Sequence, residues 1–255
     1  MSRAVAVIQA RMGSSRLPGK VLADLGGAPL LARMIERVRA ARRLADVVLA
    51  VPEGAADAAL GALAARLGVT CVTGPEDDVL ARFVRAAARS AADPIVRLTA
   101  DCPLVDPELV DWCVGTYLAT PECDYLAFED GYPDGLDVEV VSGSALRRAD
   151  AEARLPSERE HVTPYVWKHP DRFRCVRLAF PAAVGPQRWT VDEPCDLELV
   201  RAIWARLGRA GRIFGWRDVV ALLASEPALA RLNADVERNA GYRRSLEREA
   251  GGGAG

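Results

Sequence analysis

The segment Gln9-Ala10-Arg11-Met12-Gly13-Ser14-Ser15-Arg16-Leu17-Pro18-Gly19-Lys20 concentrates anion-seeking groups directly after a short apolar run. Two glycines, two serines, two arginines and a lysine in one loop can turn backbone N–H groups toward an anion while cations close around it. The loop is a near miss for a P-loop. Five residues separate Gly13 from Gly19 where that motif has four, and Val21 follows Lys20 where a Ser or Thr would hold Mg²⁺. An ordinary ATPase is therefore not expected, and without a G-x-G-x-x-G neither is a dinucleotide fold. The expectation is phosphate binding by Arg11, Arg16 and Lys20. Lys20 also stands out by composition: of 33 basic residues only Lys20 and Lys168 are lysines.

Two carboxylates complement this loop. Asp101 sits in Thr99-Ala100-Asp101-Cys102-Pro103-Leu104, and Asp192 in Thr190-Val191-Asp192-Glu193-Pro194, each at the end of an apolar run. Two such acids beside a polyphosphate suit Mg²⁺, which takes few hard oxygen ligands from protein and the rest from phosphate and water. Asp192 also has the position of a helix N-cap before Glu193-Pro194, so its role stays open between metal and cap.

The elements that must position these groups are legible in the first half. Ala4–Gln9, Asp46–Val51, Val69–Thr73 and Pro94–Thr99 read as short buried strands. Helical patterns at Pro29–Arg43, Glu53–Leu67 and Asp77–Ser90 separate them, the arginines of the first reading as a solvated face. This alternation implies a parallel sheet with helices on both faces, whose ligands lie beyond the strands' carboxyl ends. That rule selects Gln9–Lys20 and Ala100–Asp106. Asp106 and Pro107 start a helix to Tyr117. Later, Tyr125–Gly135 reads as turn-rich, Leu136–Val141, Arg174–Phe180 and Arg188–Val191 as strands, and Ser144–Arg154, Glu158–Trp167 and Glu193–Leu207 as helices. The last forty residues read as helices that pack and solvate, and the final GGGAG as a flexible tail.

Composition bounds the answer. Half of the chain is hydrophobic and 27% is charged, which is globular. The net charge of −2 offers no basic field for nucleic acid or a membrane surface. No apolar stretch reaches the length of a membrane span, and the N-terminal apolar run is too short for a secretory signal. Six cysteines without a C-x-x-C pair suggest reduced thiols and a cytoplasmic setting.

The loop IQARMGSSRLPGKVL resembles the signature loop of the cytidylyltransferases that activate sugars as CMP conjugates, the CMP-KDO and CMP-sialate synthetase family. The similarity is greatest to the branch named for spore coat polysaccharide biosynthesis protein F, and runs from about Arg3 to about Val200. It implies an α/β, Rossmann-like nucleotidyltransferase (GT-A-like) three-layer fold with a mixed, mostly parallel central sheet. It further implies one domain over 1–250, with a nucleotide-binding half about 1–120 and an acceptor-binding half about 121–225. C-terminal helices would cover about 193–249 and the tail 251–255. By the resemblance, Arg11, Arg16 and Lys20 grip the CTP triphosphate, Gly13, Ser14 and Ser15 line it, and Gln9 and Ala10 lie against cytosine or ribose. Asp101 and Asp192 correspond to the family's magnesium ligands, although Ala100 stands where relatives usually have Gly. Tyr132–Val140 and Glu158–Tyr165 match the spore coat branch, making Asp134, Asp137, Arg159, Glu160 and His161 acceptor candidates. From the residues alone, Asp134-Gly135 is equally a turn, Glu160 an arginine's partner and His161 a half-buried structural histidine.

The function this implies is Mg²⁺-dependent transfer of CMP from CTP to a small-molecule acceptor, a sugar acid or a phosphorylated or phosphonate relative, by a cytoplasmic homodimer in polysaccharide biosynthesis. Two other readings remain. A glycosyltransferase of similar topology would bind a nucleotide sugar and release no pyrophosphate. A nucleotide-binding protein that had lost catalysis should have lost Arg11, Lys20, Asp101 or Asp192, and all four are present.

Overall fold

The computed structural model describes residues 4–185 and 187–252; Arg3 and the last three residues of the GGGAG tail lie outside them. Strands β1 (Ala4–Gln9), β2 (Leu44–Pro52), β3 (Thr70–Gly74) and β4 (Ile95–Thr99) alternate with helices α1 (Leu30–Val38), α2 (Ala58–Leu67) and α3 (Val79–Ser90). After α4 (Pro107–Ala119) come β5 (Tyr125–Phe128), β6 (Glu139–Val141), α5 (Gly143–Glu152), α6 (Pro156–His161), α7 (Pro164–Trp167) and β7 (Cys175–Leu178). The chain ends in α8 (Pro194–Leu207), α9 (Trp216–Ser225), α10 (Pro227–Ala230) and α11 (Ala240–Gly252).

The seven strands form one sheet in the order β3-β2-β1-β4-β6-β5-β7. β1 pairs in parallel with β2 and β4, β2 with β3, and β5 with β7, while β6 runs antiparallel to β4 and β5. The fold is the expected three-layer α/β arrangement around a mixed, mostly parallel sheet. The two-residue strand period divides β1 cleanly between two cores. Ala4, Ala6 and Ile8 join the core that also holds Leu30, Leu60, Val110 and Val200. Val5 and Val7 join the opposite one, with Leu80, Phe83, Leu146 and Val166.

Several elements differ from the sequence reading. Tyr125–Phe128 is a fully buried strand, its apolar YLAF too short to stand out beside the turn that follows. Arg188–Val191 is no strand: the ladder is reduced to one parallel bridge between Asp134 and Arg188. The helix expected over Glu158–Trp167 is broken at Val162, whose φ of 72° ends α6 before Pro164 starts α7. Gly251 and Gly252 complete α11 and do not begin a free tail. Among the α1 arginines, Arg37 is 1% exposed, not solvated. Its guanidinium donates to the carbonyls of Leu104, Val105 and Phe214, fastening the segment after β4 to the C-terminal part of the chain.

All six cysteines are free thiols. Among the described residues no helix is long and apolar enough to cross a membrane.

Candidate active site

β1 ends at Gln9 between Ala50 of β2 and Thr99 of β4, so the loop after it emerges at the carboxyl edge of the sheet. The loop is folded on its own backbone. Ser14 and Gly19 both donate to the Met12 carbonyl, and the Leu17 amide donates to Ser14 Oγ at 3.3 Å. Gly19 has φ 70°, a left-handed conformation that favours glycine, and starts the 3-10 turn Lys20–Leu22. Asp57 holds the loop from outside: its Oδ1 accepts from the Met12 amide at 2.7 Å. The amides of Gly13, Ser15 and Arg16 have no protein acceptor among the described residues. Gln9 Oε1 is buried without a hydrogen-bond partner.

The loop's cations meet the two carboxylates. Lys20 Nζ donates to Asp101 Oδ2 at 3.0 Å and to Asp192 Oδ1 at 2.7 Å. Arg16 reaches Asp192 Oδ2 at 3.1 Å and Glu193 Oε1 at 3.0 Å. Residues 101 and 190–192 converge because the Asp101 carbonyl accepts from the Val191 amide (2.8 Å) and Thr190 Oγ1 (3.2 Å). Burial raises the pKa of both aspartates, but Lys20 outweighs it. Asp101 is held below the usual carboxylate range, and Asp192, also facing Arg188 and Arg16, falls to about 2. Lys20 shows the reciprocal effect: burial lowers its pKa, and the two carboxylates raise it further than that.

Three residues not singled out from sequence support this centre. Arg188 donates to Asp134 Oδ2 (2.8 Å), Asp192 Oδ2 (2.8 Å) and both oxygens of Asp196 (3.0 Å each). Asp196, fully buried, accepts from the amides of Asp192 and Glu193 at 2.9 Å. Asn233 donates to Asp196 at 2.7 Å. So Asp196 anchors the start of α8, and the Asp192 side chain is committed to Lys20, Arg16 and Arg188, not to an N-cap. The spacing Asp192-x-x-x-Asp196 was the available signal for Asp196; Asn233 had none.

The acceptor candidates fall into two groups. Asp134 and Asp137 stand beside the centre. Asp134 pairs its backbone with Gln187, Trp189 and Thr190. Burial and the neighbouring Asp137 carboxylate raise it to about 7 against the pull of Arg188. Gly135 has φ 102°, and a Cβ there would lie 2.6 Å from the Thr190 amide nitrogen. Asp137 accepts from Tyr132 Oη (2.7 Å) and the Gly135 amide (2.8 Å), which braces the turn. Arg159, by contrast, is committed to Asp78 and Asp150. Glu160 pairs with Ser245, not with an arginine, and His161 Nε2 lies 3.1 Å from the same hydroxyl. Burial, then the charge of Arg97, lowers His161 to about 4, so it is neutral at pH 7. Arg11 is exposed, with no hydrogen bond or ion pair to protein among the described residues, and its charge also reaches His161.

The donor set fits a hard divalent cation. Asp101 and Asp192 direct one oxygen each at a single point, now the Lys20 ammonium, as expected of a site completed by phosphate and water. No described cluster of three or more metal-type side chains forms a closed protein cage. Burial keeps the adjacent Cys102 thiol protonated, so it is no soft ligand.

Comparisons with known proteins show the family. A family model described as Cytidylyltransferase matches residues 5–205. The chain is similar to the spore coat polysaccharide biosynthesis protein SpsF of Bacillus subtilis (strain 168), at 34% identity over 88% of this chain and 95% of that protein. It is similar to a 3-deoxy-manno-octulosonate cytidylyltransferase of Anaeromyxobacter dehalogenans (strain 2CP-C), at 30% identity over 80% and 99%. Among solved structures, a cytidylyltransferase from Leptospira borgpetersenii serovar Hardjo-bovis (strain JB197) superposes with a TM-score of 0.85 at 29% identity, covering 91% of this chain and 98% of that one.

Proposed function

This chain belongs to the cytidylyltransferase family, and on that premise we propose that it transfers CMP from CTP to a sugar acid or a related phosphorylated or phosphonate acceptor, with Mg²⁺ at Asp101 and Asp192. The observation that supports the reading is the meeting of Lys20 Nζ with both carboxylates, which brings the loop read as triphosphate-binding and the acids read as metal ligands to one point. The sugar-acid class is taken from the 3-deoxy-manno-octulosonate relative, and a role in surface polysaccharide synthesis from the spore coat relative. A cytoplasmic homodimer is part of the same reading.

In the reaction an acceptor oxygen bonds to the α-phosphorus while the bond from that phosphorus to the pyrophosphate oxygen breaks. Negative charge gathers on the departing pyrophosphate, where Arg11, Arg16 and Lys20 stabilise it. The amides of Gly13, Ser15 and Arg16 add fixed donors, and Ser14 shapes the turn that aims them. Gln9 Oε1 supplies an acceptor for the cytosine amino group or a ribose hydroxyl, with Ala10 beside it. When bound, Mg²⁺ neutralises phosphate oxygens and orders them. Arg188 and Asp196 keep the Asp192 carboxylate aimed. A hydroxyl acceptor must lose a proton, which Asp137 beside the centre takes; an ionised phosphate or phosphonate needs no base.

Pyrophosphate release measured with CTP, ATP, UTP and GTP against sugar acids, starting with 3-deoxy-manno-octulosonate, and phosphonates tests the proposal. Release specific to CTP and dependent on an acceptor is expected. Sugar transfer from a nucleotide sugar without pyrophosphate would replace it with a glycosyltransferase.

A further inference from the structure

The family match ends at residue 205, yet the chain beyond it returns to the centre. Asn233, between α10 and α11, is 4% exposed, and its Nδ2 donates to Asp196 Oδ1 at 2.7 Å and to the Arg188 carbonyl at 3.0 Å. Both neighbours are acceptors only, so the amide must face them with its nitrogen. We propose that Asn233 is a positioning residue that holds the Asp192 carboxylate in its metal-facing pose, acting through Asp196 and Arg188.

The contacts form a continuous chain. Asp196 Oδ1 serves Asn233 and Arg188 Nε, and Oδ2 serves Arg188 and the amides of Asp192 and Glu193. Asp196 therefore fixes both the backbone that carries Asp192 and the guanidinium that touches Asp192 Oδ2. With Oδ2 taken by Arg188 and Arg16, Oδ1 is the oxygen turned to Lys20 and the metal point. Asn233 also ties down the Arg188 carbonyl, directly ahead of the consecutive Trp189 and Thr190 amides that bind Asp134. A buried donor at this joint fixes two neighbours of Asp192 from one side chain. Outer partners of metal-facing carboxylates have effects of this kind when removed.

The inference rests on the reading that Asp192 faces a metal–CTP complex, and calorimetric CTP titrations with Mn²⁺ and with EDTA separate the two. Asn233→Leu keeps the size and removes the donor. It should weaken CTP binding in Mn²⁺ by about 10- to 100-fold, while the EDTA affinity, set by the phosphate loop, stays within about twofold. Asn233→Ser, which retains a donor, should recover part of the loss, and Asn233→Ala, which removes the donor, carries the test if the leucine variant does not fold. Unchanged Mn²⁺-dependent affinity in the leucine variant, or in the alanine variant where it carries the test, overturns the inference, as does an equal loss in both titrations. Wild-type protein that takes up no CTP in either titration overturns the functional reading itself.

Discussion

The two banks of the site are built by opposite means. On the β1 bank, every cation assigned to the triphosphate comes from Arg11–Lys20, one loop folded on the Met12 carbonyl. On the other bank, Asp134, the segment 188–196 that holds Arg188, Asp192 and Asp196, and Asn233 come from three separate stretches, joined by side-chain bonds and by the backbone pairing of Asp134 with Gln187, Trp189 and Thr190. A contiguous loop carries its geometry in its own turns and can be recognised as a string. An assembled bank depends on buried charge pairs, each of which leaves an uncompensated partner if broken. Function on the first bank should therefore fail by loss of a group, and on the second by loss of aim.

Metal removal strikes where the banks meet, and has the largest expected effect: EDTA abolishes pyrophosphate release, and added Mg²⁺ restores it. Full turnover without divalent metal would release Asp101 and Asp192 from their assignment. On the contiguous bank, Lys20→Ala should lower kcat/KM by about 10²- to 10³-fold, the scale of losing one preorganised charge partner. Circular dichroism should stay native, and wild-type kinetics in that variant would end the phosphate-clamp assignment. Further out, Arg159→Ala should cost about 1–3 kcal/mol in denaturant unfolding, because Asp78 and Asp150 lose their shared donor. The acceptor KM should stay unchanged; a raised KM would return Arg159 to the acceptor site. The smallest effect concerns His161. Its pKa of about 4, against an ordinary 6.5, means the folded state binds fewer protons than the unfolded one between those values. Stability should thus fall as pH drops from 6.5 toward 4, and His161→Gln should flatten that part of the unfolding profile.

The contrast also explains what could be read from the sequence. β1 to β4 and their helices follow from short β-branched runs alternating with amphipathic stretches, and Asp101 follows from standing at a strand's end. The loop was legible because its chemistry is consecutive. Arg188 was hidden in a run that reads as a strand, although the neighbouring backbone bonds sideways to Asp134 and Asp101. Asn233 lay in a C-terminus that reads as packing, and nothing in its neighbours marks a partner 37 residues away. Arg37 illustrates the same limit within a helix: periodicity placed it among solvated arginines, and three distant carbonyls bury it.

The close seat of Gly135 on Trp189 and Thr190 bears on how this enzyme can be altered. One added carbon there would wedge apart the strip that carries Asp134 from the strip that leads to Asp192. In a directed-evolution library aimed at new acceptors, position 135 should therefore stay glycine. The clone collection then explores substrate range without spending its members on displaced carboxylates.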